Sequence, residues 1–533
     1  MVPRQHGSIQ GPQVHRVYRR NSKDPRGQGH AKRAERKRSH LQGVCKEADH
    51  TGRITIEFFG GIMLGIKSYG VYFPYYRLKR GDIGQFWASY QLPGEKAVAN
   101  FDEDTLTMAV EASRSCLKEE NAKDVAALFV ASTTLPYAEK QNAALAAAVL
   151  DLPDNAFTLD VGGTLRSGTN AVALAMNCVK ALGPSKVLVC ASDMRLGMPN
   201  GSRELEFGDG AAAMLIGEGD VLASIDASYS MYNELYDVYR PANQRFVRSW
   251  EDRFVREAGY TRVVPMAVKQ ALASFGLTPA DFAKAVFSAP NPTYLAAAAK
   301  LAGFDPKTQC SDPLWASLGY LGSAHSLALL AATLDQSSPG DRLLWVNYGD
   351  GCDVMALTVT KAIEDYKQKQ TVMRMMNSKG YTTYQRYLRW RELVHPEPPM
   401  RPKTEPASAP ALHRDRLSGL ALYGSKCKKC GTVQYPIQRI CMECRAKDDY
   451  DLYPFADKHG RITTFSHDNL AVSLDPPTTL AAVDFDGGGR MMLDLTDRDP
   501  SAVSINMPVE MTFRKFRFTE GVQVYWWKSR PVR

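Results

Sequence analysis

No hydrophobic run in this 533-residue chain approaches the ~20 residues that a membrane-spanning helix needs. The N-terminus also lacks the basic-then-apolar pattern of a secretory signal. Both absences predict a cytoplasmic protein with no membrane partner. Acidic residues are sparse at the start: residues 1–62 hold thirteen Lys/Arg against five Asp/Glu and carry +8 of the formal +9. With no apolar periodicity either, this leader reads as a disordered, dispensable basic extension, or alternatively as a nucleic-acid arm or a targeting segment. The rest of the chain is close to electrical balance, so its charge gives no reason to expect a nucleic-acid partner. Paired cysteines are missing from most of the sequence. Cys45, Cys116, Cys178, Cys190, Cys310 and Cys352 show no paired spacing, and the last five read as small buried or half-buried residues rather than a disulfide framework.

What is present is enough apolar material, 44% of residues, for two or three cored domains. Over residues 63–370 strands and helices alternate. "LGIKSYGVYFPYYRL" reads as a first core strand, followed by "VAALFVAST" (strand), "NAALAAAVLDL" (helix), "AFTLDV" (strand), "GTNAVALAMNCVKAL" (helix) and "KVLVCASDM" (strand). The second half repeats the scheme with "AVFSAPN", "TYLAAAAKLAGF", "GSAHSLALLAATL" and "RLLWVNYGDGCDVMALTV". Each half carries a "GDG" turn leading into a strand, at 208–210 and 349–351. The expected class is therefore α/β, with two related halves and a site between them where strand-to-helix turns meet.

Residues 371–415 read as an amphipathic helix over 381–394 followed by a Pro-rich, semi-extended linker. Next comes "CKKCGTVQYPIQRICMECRA", in which Cys427, Cys430, Cys441 and Cys444 give C-x2-C-x10-C-x2-C. Two such knuckles can present four thiolates to one tetrahedral Zn²⁺, a structural site with no open position for catalysis. Residues 416–450 are thus expected to form a zinc ribbon. The short β segments of 451–533 suit a small five-stranded OB-type barrel. Trp526, Trp527, Lys528 and Arg530 could stack on nucleic-acid bases there, but a core or interface role fits the ordinary charge balance better.

The segment "TLDVGGTLRSGTNAVALAM" is a strand, a glycine turn and a helix start, the kind of mount on which nucleophiles are carried. No cysteine stands there. With "FDEDTLTMAVEAS", "GDGAAAMLIGEG", "APNPTYLAAAAKLAGF" and "YGDG", it makes residues 63–370 resemble the thiolase superfamily, nearest to its hydroxymethylglutaryl-CoA synthase branch. The C-terminal part is similar to the rubredoxin-like zinc ribbon plus OB-fold module that accompanies such enzymes. The resemblance implies a five-layered αβαβα fold, a homodimer, and a CoA thioester as the substrate of carbon–carbon bond chemistry.

The resemblance also implies an acylated cysteine, a histidine and an asparagine around the thioester oxygen, and a glutamate as acid/base. In this sequence the glutamate falls on Glu103, whereas the cysteine position holds Leu165, the histidine position Ser288 and the asparagine position Tyr320. Leucine has no nucleophilic atom, so an acyl-enzyme at that position is excluded. Aldol or retro-aldol chemistry on a β-hydroxyacyl-CoA fits what remains, with Glu103 and Tyr320 as the acid/base pair and His325 as a further proton shuttle. Glu103 also reads as a dipole-favoured acid at a helix start, Tyr320 as a packing tyrosine and His325 as a structural histidine. Gly163, Arg166, Gly349 and Gly351 are the positions through which the two turns would meet the coenzyme. A synthase-type condensation with an altered site, or a silent CoA-binding scaffold subunit, is the alternative.

Overall fold

In the first half, the strand β1 (Leu64–Tyr72), the helix α1 (Thr105–Cys116), β2 (Val125–Ala131), α2 (Asn142–Val149), β3 (Phe157–Val161), α3 (Ser167–Leu182), β4 (Lys186–Asp193) and β5 (Gly210–Glu218) follow the expected alternation. The second half runs β6 (Ala223–Tyr232), α4 (Thr261–Phe275), β7 (Lys284–Phe287), α5 (Pro292–Ala302), α6 (His325–Leu334), β8 (Arg342–Tyr348) and β9 (Gly351–Val359). These come from a computed structural model, which describes residues 63–533 except 184, 367–370, 398–399, 401–407 and 520. The expectations for the basic leader 1–62 lie outside the described residues.

The two halves repeat each other strand for strand. β1 pairs antiparallel with β5, β5 antiparallel with β4, and β4 parallel with β2, which pairs parallel with β3. In the same way β6 pairs antiparallel with β9, β9 antiparallel with β8, and β8 parallel with β7. The counterpart of β3 is reduced to one parallel bridge, Ala285 to Cys310. The half-sheets join through only two residue pairs, Gly65 with Ser224 and Ile66 with Ala223, giving a nine-stranded array. Position 65 must be glycine for this join, because a Cβ there would lie 2.0 Å from the Ala223 carbonyl oxygen.

Burial supplies the layers. The inner faces of both half-sheets share one core with α3 and α6, including Val172, Val179, Leu327 and Leu330. The outer face of the first half packs α1 and α2, and that of the second packs α4 and α5. The result is the αβαβα order. Strands β2, β4 and β5 are almost wholly buried, as expected of strands covered on both faces. No described helix is long and apolar enough to cross a membrane.

The C-terminal barrel comprises β10 (Gly460–Asp468), β11 (Thr478–Phe485), β12 (Arg490–Asp494), β13 (Pro508–Thr519) and β14 (Val522–Pro531), in the order β12-β11-β10-β13-β14. A bridge from Leu495 to Ser529 links the far side. Trp527, Lys528 and Arg530 are buried, Trp527 under Arg114 and the two cations on Asp102 and Glu111 of the thiolase-like body, so these three positions are not open to stack on bases. Two expectations for the connecting region change. The helix over 381–394 is confined to Tyr384–Trp390, because Thr383 caps it through the Arg386 amide and Gly380–Tyr381 is drawn into a strand beside Tyr76 and Arg77. The expected linker holds a short helix, Ala409–Arg414, started by Ser408 and a proline in its first turn.

Candidate functional site

A cavity of about 330 Å³ opens where the halves meet. One wall is the strand-to-helix turn after β3. Gly163 has φ +86° there, a left-handed conformation, and the turn closes through the Ser167 amide on the Thr164 carbonyl at 3.1 Å. Leu165 follows on the cavity face, against Phe207, Val247 and Tyr320. Its neighbour across the gap is the turn between β8 and β9. A Cβ on Gly349 would sit 2.9 Å from Leu165 Cβ, so only glycine lets the two turns approach this closely.

Of the expected residues, Gly163, Gly349 and Tyr320 line this cavity together. The others are elsewhere, each for a physical reason. Arg166 is spent on holding the β8–β9 turn: its Nε donates to the Gly349 carbonyl at 2.5 Å, its Nη2 to the Asp350 carbonyl at 3.2 Å, and its Nη1 pairs with Asp353 at 2.8 Å. It positions the turn and is not among the residues that line the cavity. Gly351 is absent from the lining; its glycine is required because a Cβ would be 2.1 Å from the Met231 carbonyl of β6. His325 is also absent from the lining. Burial pushes its imidazole down to about 3, so it stays neutral at physiological pH, and its Nε2 has no hydrogen-bond partner among the described residues.

Glu103 is the largest departure. It lies just before Asp104, which caps α1, and it is 1% exposed at the joint with the barrel rather than in the cavity. Its carboxylate accepts from the Tyr72 hydroxyl at 2.5 Å and the Asn100 amide at 2.7 Å, and pairs with Arg514 at 2.9 Å. Arg514 also pairs with Asp102 and Asp497, while Lys528 reaches Asp102 at 3.0 Å and Arg530 reaches Glu111 at 2.9 Å. Burial raises the Glu103 carboxyl and Arg514 opposes it. Removing one partner from so dry a network strands the others, so Arg514→Met is expected to lower stability by about 3–5 kcal/mol, measured by urea unfolding. A loss below about 1 kcal/mol, the scale of a solvated pair, would show that the network is not dry in solution.

The cavity also holds groups that motif reading missed. Asp237, 6% exposed, accepts from the Tyr348 hydroxyl at 2.6 Å and from the Val238 amide. Burial raises its carboxyl above the usual aspartate range, against those two donors. Burial likewise raises the Tyr320 phenol, and Arg195 counters it. Thr133 is fixed by Asp193, whose Oδ1 accepts from its amide and hydroxyl at 2.8 and 3.0 Å; Asp193 Oδ2 accepts from the Ser323 amide in the other half. The one available signal was length. Residues 233–260 form a long, aromatic-rich excursion between β6 and α4 that holds only two-residue strands and short helical turns, and such excursions carry function more often than short turns do.

In the ribbon, the four cysteine sulfurs all lie within 4.8 Å of one another, with Cys427 to Cys444 at 3.6 Å and Cys430 to Cys441 at 3.5 Å. A tetrahedral zinc with bonds of about 2.3 Å separates its sulfurs by about 3.8 Å, so the donor set fits. Gly431 and Arg445, both with positive φ, turn the two knuckles. The metal would supply folding energy alone, since four thiolates fill its coordination.

Residues 420–449 match the family described as ChsH2, rubredoxin-like zinc ribbon domain, and residues 454–514 match ChsH2, C-terminal OB-fold domain. The body is similar to the hydroxymethylglutaryl-CoA synthase of Pyrococcus horikoshii, 32% identical over 309 residues, covering 57% of this chain and 88% of that protein. The corresponding synthase of Archaeoglobus fulgidus is 33% identical over 343 residues, covering 62% of this chain and 99% of that protein. Among solved structures, an HMG-CoA synthase complexed with CoA superimposes with a TM-score of 0.57 at 17% identity, covering 61% of this chain and 89% of that one. The 3-oxoacyl-[acyl-carrier-protein] synthase III of Aquifex aeolicus superimposes at 0.50 and 19% identity, covering 56% and 100%. Those two structures speak for the fold. With identity above 30% along nearly the whole of the curated relatives, the chain belongs to the hydroxymethylglutaryl-CoA synthase family and carries a ChsH2-type zinc ribbon and OB-fold after that body.

Proposed function

We propose that the protein is a cytoplasmic acyl-CoA enzyme that makes or breaks a carbon–carbon bond beside a thioester, by aldol or retro-aldol chemistry on a β-hydroxyacyl-CoA without an acyl-enzyme. The observation that carries this is one cavity with a raised, buried carboxyl at Asp237 and a leucine where the acylated cysteine would stand. Asp237 takes the role first given to Glu103. In the cleavage direction its carboxylate accepts the β-hydroxyl proton, and the freed O–H pair closes a carbonyl. The bond between the α and β carbons then breaks, and its electrons pass to the thioester as an enolate. Proton return to the α carbon releases the shortened acyl-CoA. We assign the donor in that last step to Tyr320, whose phenol is protonated at rest; its phenolate then recovers the hydroxyl proton held by Asp237, which restores both groups.

The open edge strand β3, with Phe157 exposed, supports the homodimer, since such an edge invites another chain. Incubation with acetyl-CoA followed by intact-mass analysis is expected to show no acetyl increment. A stable adduct would return the protein to acyl-enzyme chemistry and sink this reading.

A further inference from the structure

Three arginines line the cavity, and two of them are committed. Arg203 pairs with Glu206 at 2.6 Å and donates to Ser249. Arg240 donates to the Gln244 and Thr133 carbonyls at 3.1 and 2.6 Å. Arg195 is different. It is 7% exposed, and it has no ion pair and no hydrogen bond to any described residue. Its guanidinium lies over the Phe207 ring, 4.2 Å from the centroid, which holds its plane. Beneath it the space is full: a Cβ on Gly322 would come within 2.9 Å of Arg195 Cδ.

Two carboxylates act on it from a distance, and both are already engaged: Glu206 pairs with Arg203 at 2.6 Å, and Asp193 is saturated by neutral donors. Asp193 Oδ1 accepts from the Ser132, Thr133 and Thr134 hydroxyls, and Oδ2 accepts from the Ser323 amide. A buried cation left without a directly bonded counter-ion is costly, and one lining a cavity is poised for an anionic oxygen. The Tyr320 phenol feels this charge as its main opposing influence, so Arg195 acts on the same corner of the cavity. The positions to which the family resemblance assigns neutral oxyanion donors hold Ser288 and Tyr320 instead.

We propose that Arg195 is a catalytic residue that binds the thioester oxygen as it becomes an enolate. The inference rests on the reaction proposed above. There the single negative charge begins on Asp237 and, once Asp237 has taken the hydroxyl proton, resides on the enolate oxygen. A fixed guanidinium favours that displacement of charge far more than it favours the neutral thioester.

Binding separates this inference from the reading beneath it. S-Carboxymethyl-CoA places a carboxylate at the α-carbon position, next to where the enolate oxygen would form, S-ethyl-CoA is its neutral counterpart, and S-(4-carboxybutyl)-CoA carries its carboxylate farther along the acyl chain. Calorimetry on the full chain is expected to give about 10- to 100-fold tighter binding of S-carboxymethyl-CoA than of S-ethyl-CoA, the range of one charge-assisted hydrogen bond. Arg195→Gln should abolish that preference while leaving S-ethyl-CoA affinity unchanged, which also shows the variant folded; Arg195→Lys should keep part of it. Turnover in Arg195→Gln should fall by about 10²- to 10³-fold in kcat with KM little altered.

A preference that survives in Arg195→Gln, or that is absent in the unaltered protein, overturns the assignment while leaving the acyl-CoA reading in place. Tightest binding of the 4-carboxybutyl derivative, lost in Arg195→Gln, would make Arg195 a reader of a carboxylated acyl chain and also overturn it. If none of the three CoA derivatives binds, the acyl-CoA reading itself falls, and this inference with it.

Discussion

Asp237→Asn is expected to lower kcat for a β-hydroxyacyl-CoA by about 10²- to 10⁴-fold, the usual cost of a lost acid/base group. The amide nearly preserves volume and can still accept from Tyr348, so the cavity stays intact while proton acceptance is lost. Affinity for unreactive CoA derivatives should therefore barely change. The pH profile gives an independent check. The carboxyl must be ionised to act as a base, and burial raises it, so activity falls as pH drops through that raised value and the acid limb lies above the ordinary aspartate range. The Tyr348 hydroxyl stabilises the ionised form. Tyr348→Phe should then move the acid limb to still higher pH, opposite to the shift expected if Asp350, whose charge disfavours ionisation, were removed. A profile for Asp237→Asn parallel to that of the unaltered protein, with full activity, would remove Asp237 from the chemistry.

Zinc removal should have the largest effect on stability. Structural four-cysteine sites contribute on the order of 10 kcal/mol of apparent folding energy, more than the short strands Tyr423–Cys427, Val433–Gln434 and Tyr450–Pro454 can replace by pairing. Cys430→Ser, or exhaustive chelation, is expected to unfold 420–449 and loosen the barrel beside it, because Val433, Tyr435 and Phe455 pack with Phe485 in one core. No described residue beyond Asp350 lines the cavity, so CoA binding should outlast the ribbon. Elemental analysis checks the premise. Protein purified without chelator should carry one zinc per chain, and its absence would end the assignment of Cys427, Cys430, Cys441 and Cys444.

The repeat, the glycine turns and the ribbon were legible because each is a local pattern. Alternating apolar runs fix strands and helices, Gly163 and Gly349 mark turns that must come close, and C-x2-C spacing brings two thiols to one knuckle wherever it occurs. The proposed acid/base group was not legible, because a carboxylate's role depends on what the fold sets opposite it. Glu103 sits in a motif with the right residue types, yet the helix it precedes faces the barrel, and Arg514, more than four hundred positions away in sequence, claims it. Asp237 and Arg195 give the converse. Neither belongs to a periodic element: Asp237 lies in the excursion after β6 and Arg195 in the loop after β4. Only the meeting of the two halves puts them on one cavity. His325 falls within a helical pattern, and the helix buries it outside the cavity lining.

Carbon–carbon cleavage without a covalent intermediate is tested most directly by following one substrate to its fragments. A β-hydroxyacyl-CoA labelled with ¹³C at its α and β carbons, incubated with the full-length protein and read by NMR, should yield two separate signals. The α label should appear in a shorter acyl-CoA and the β label in a released aldehyde or ketone, with their mutual coupling lost and no label on the protein. Persistence of the coupled pair across a panel of chain lengths, or transfer of label to a protein side chain, would contradict the account.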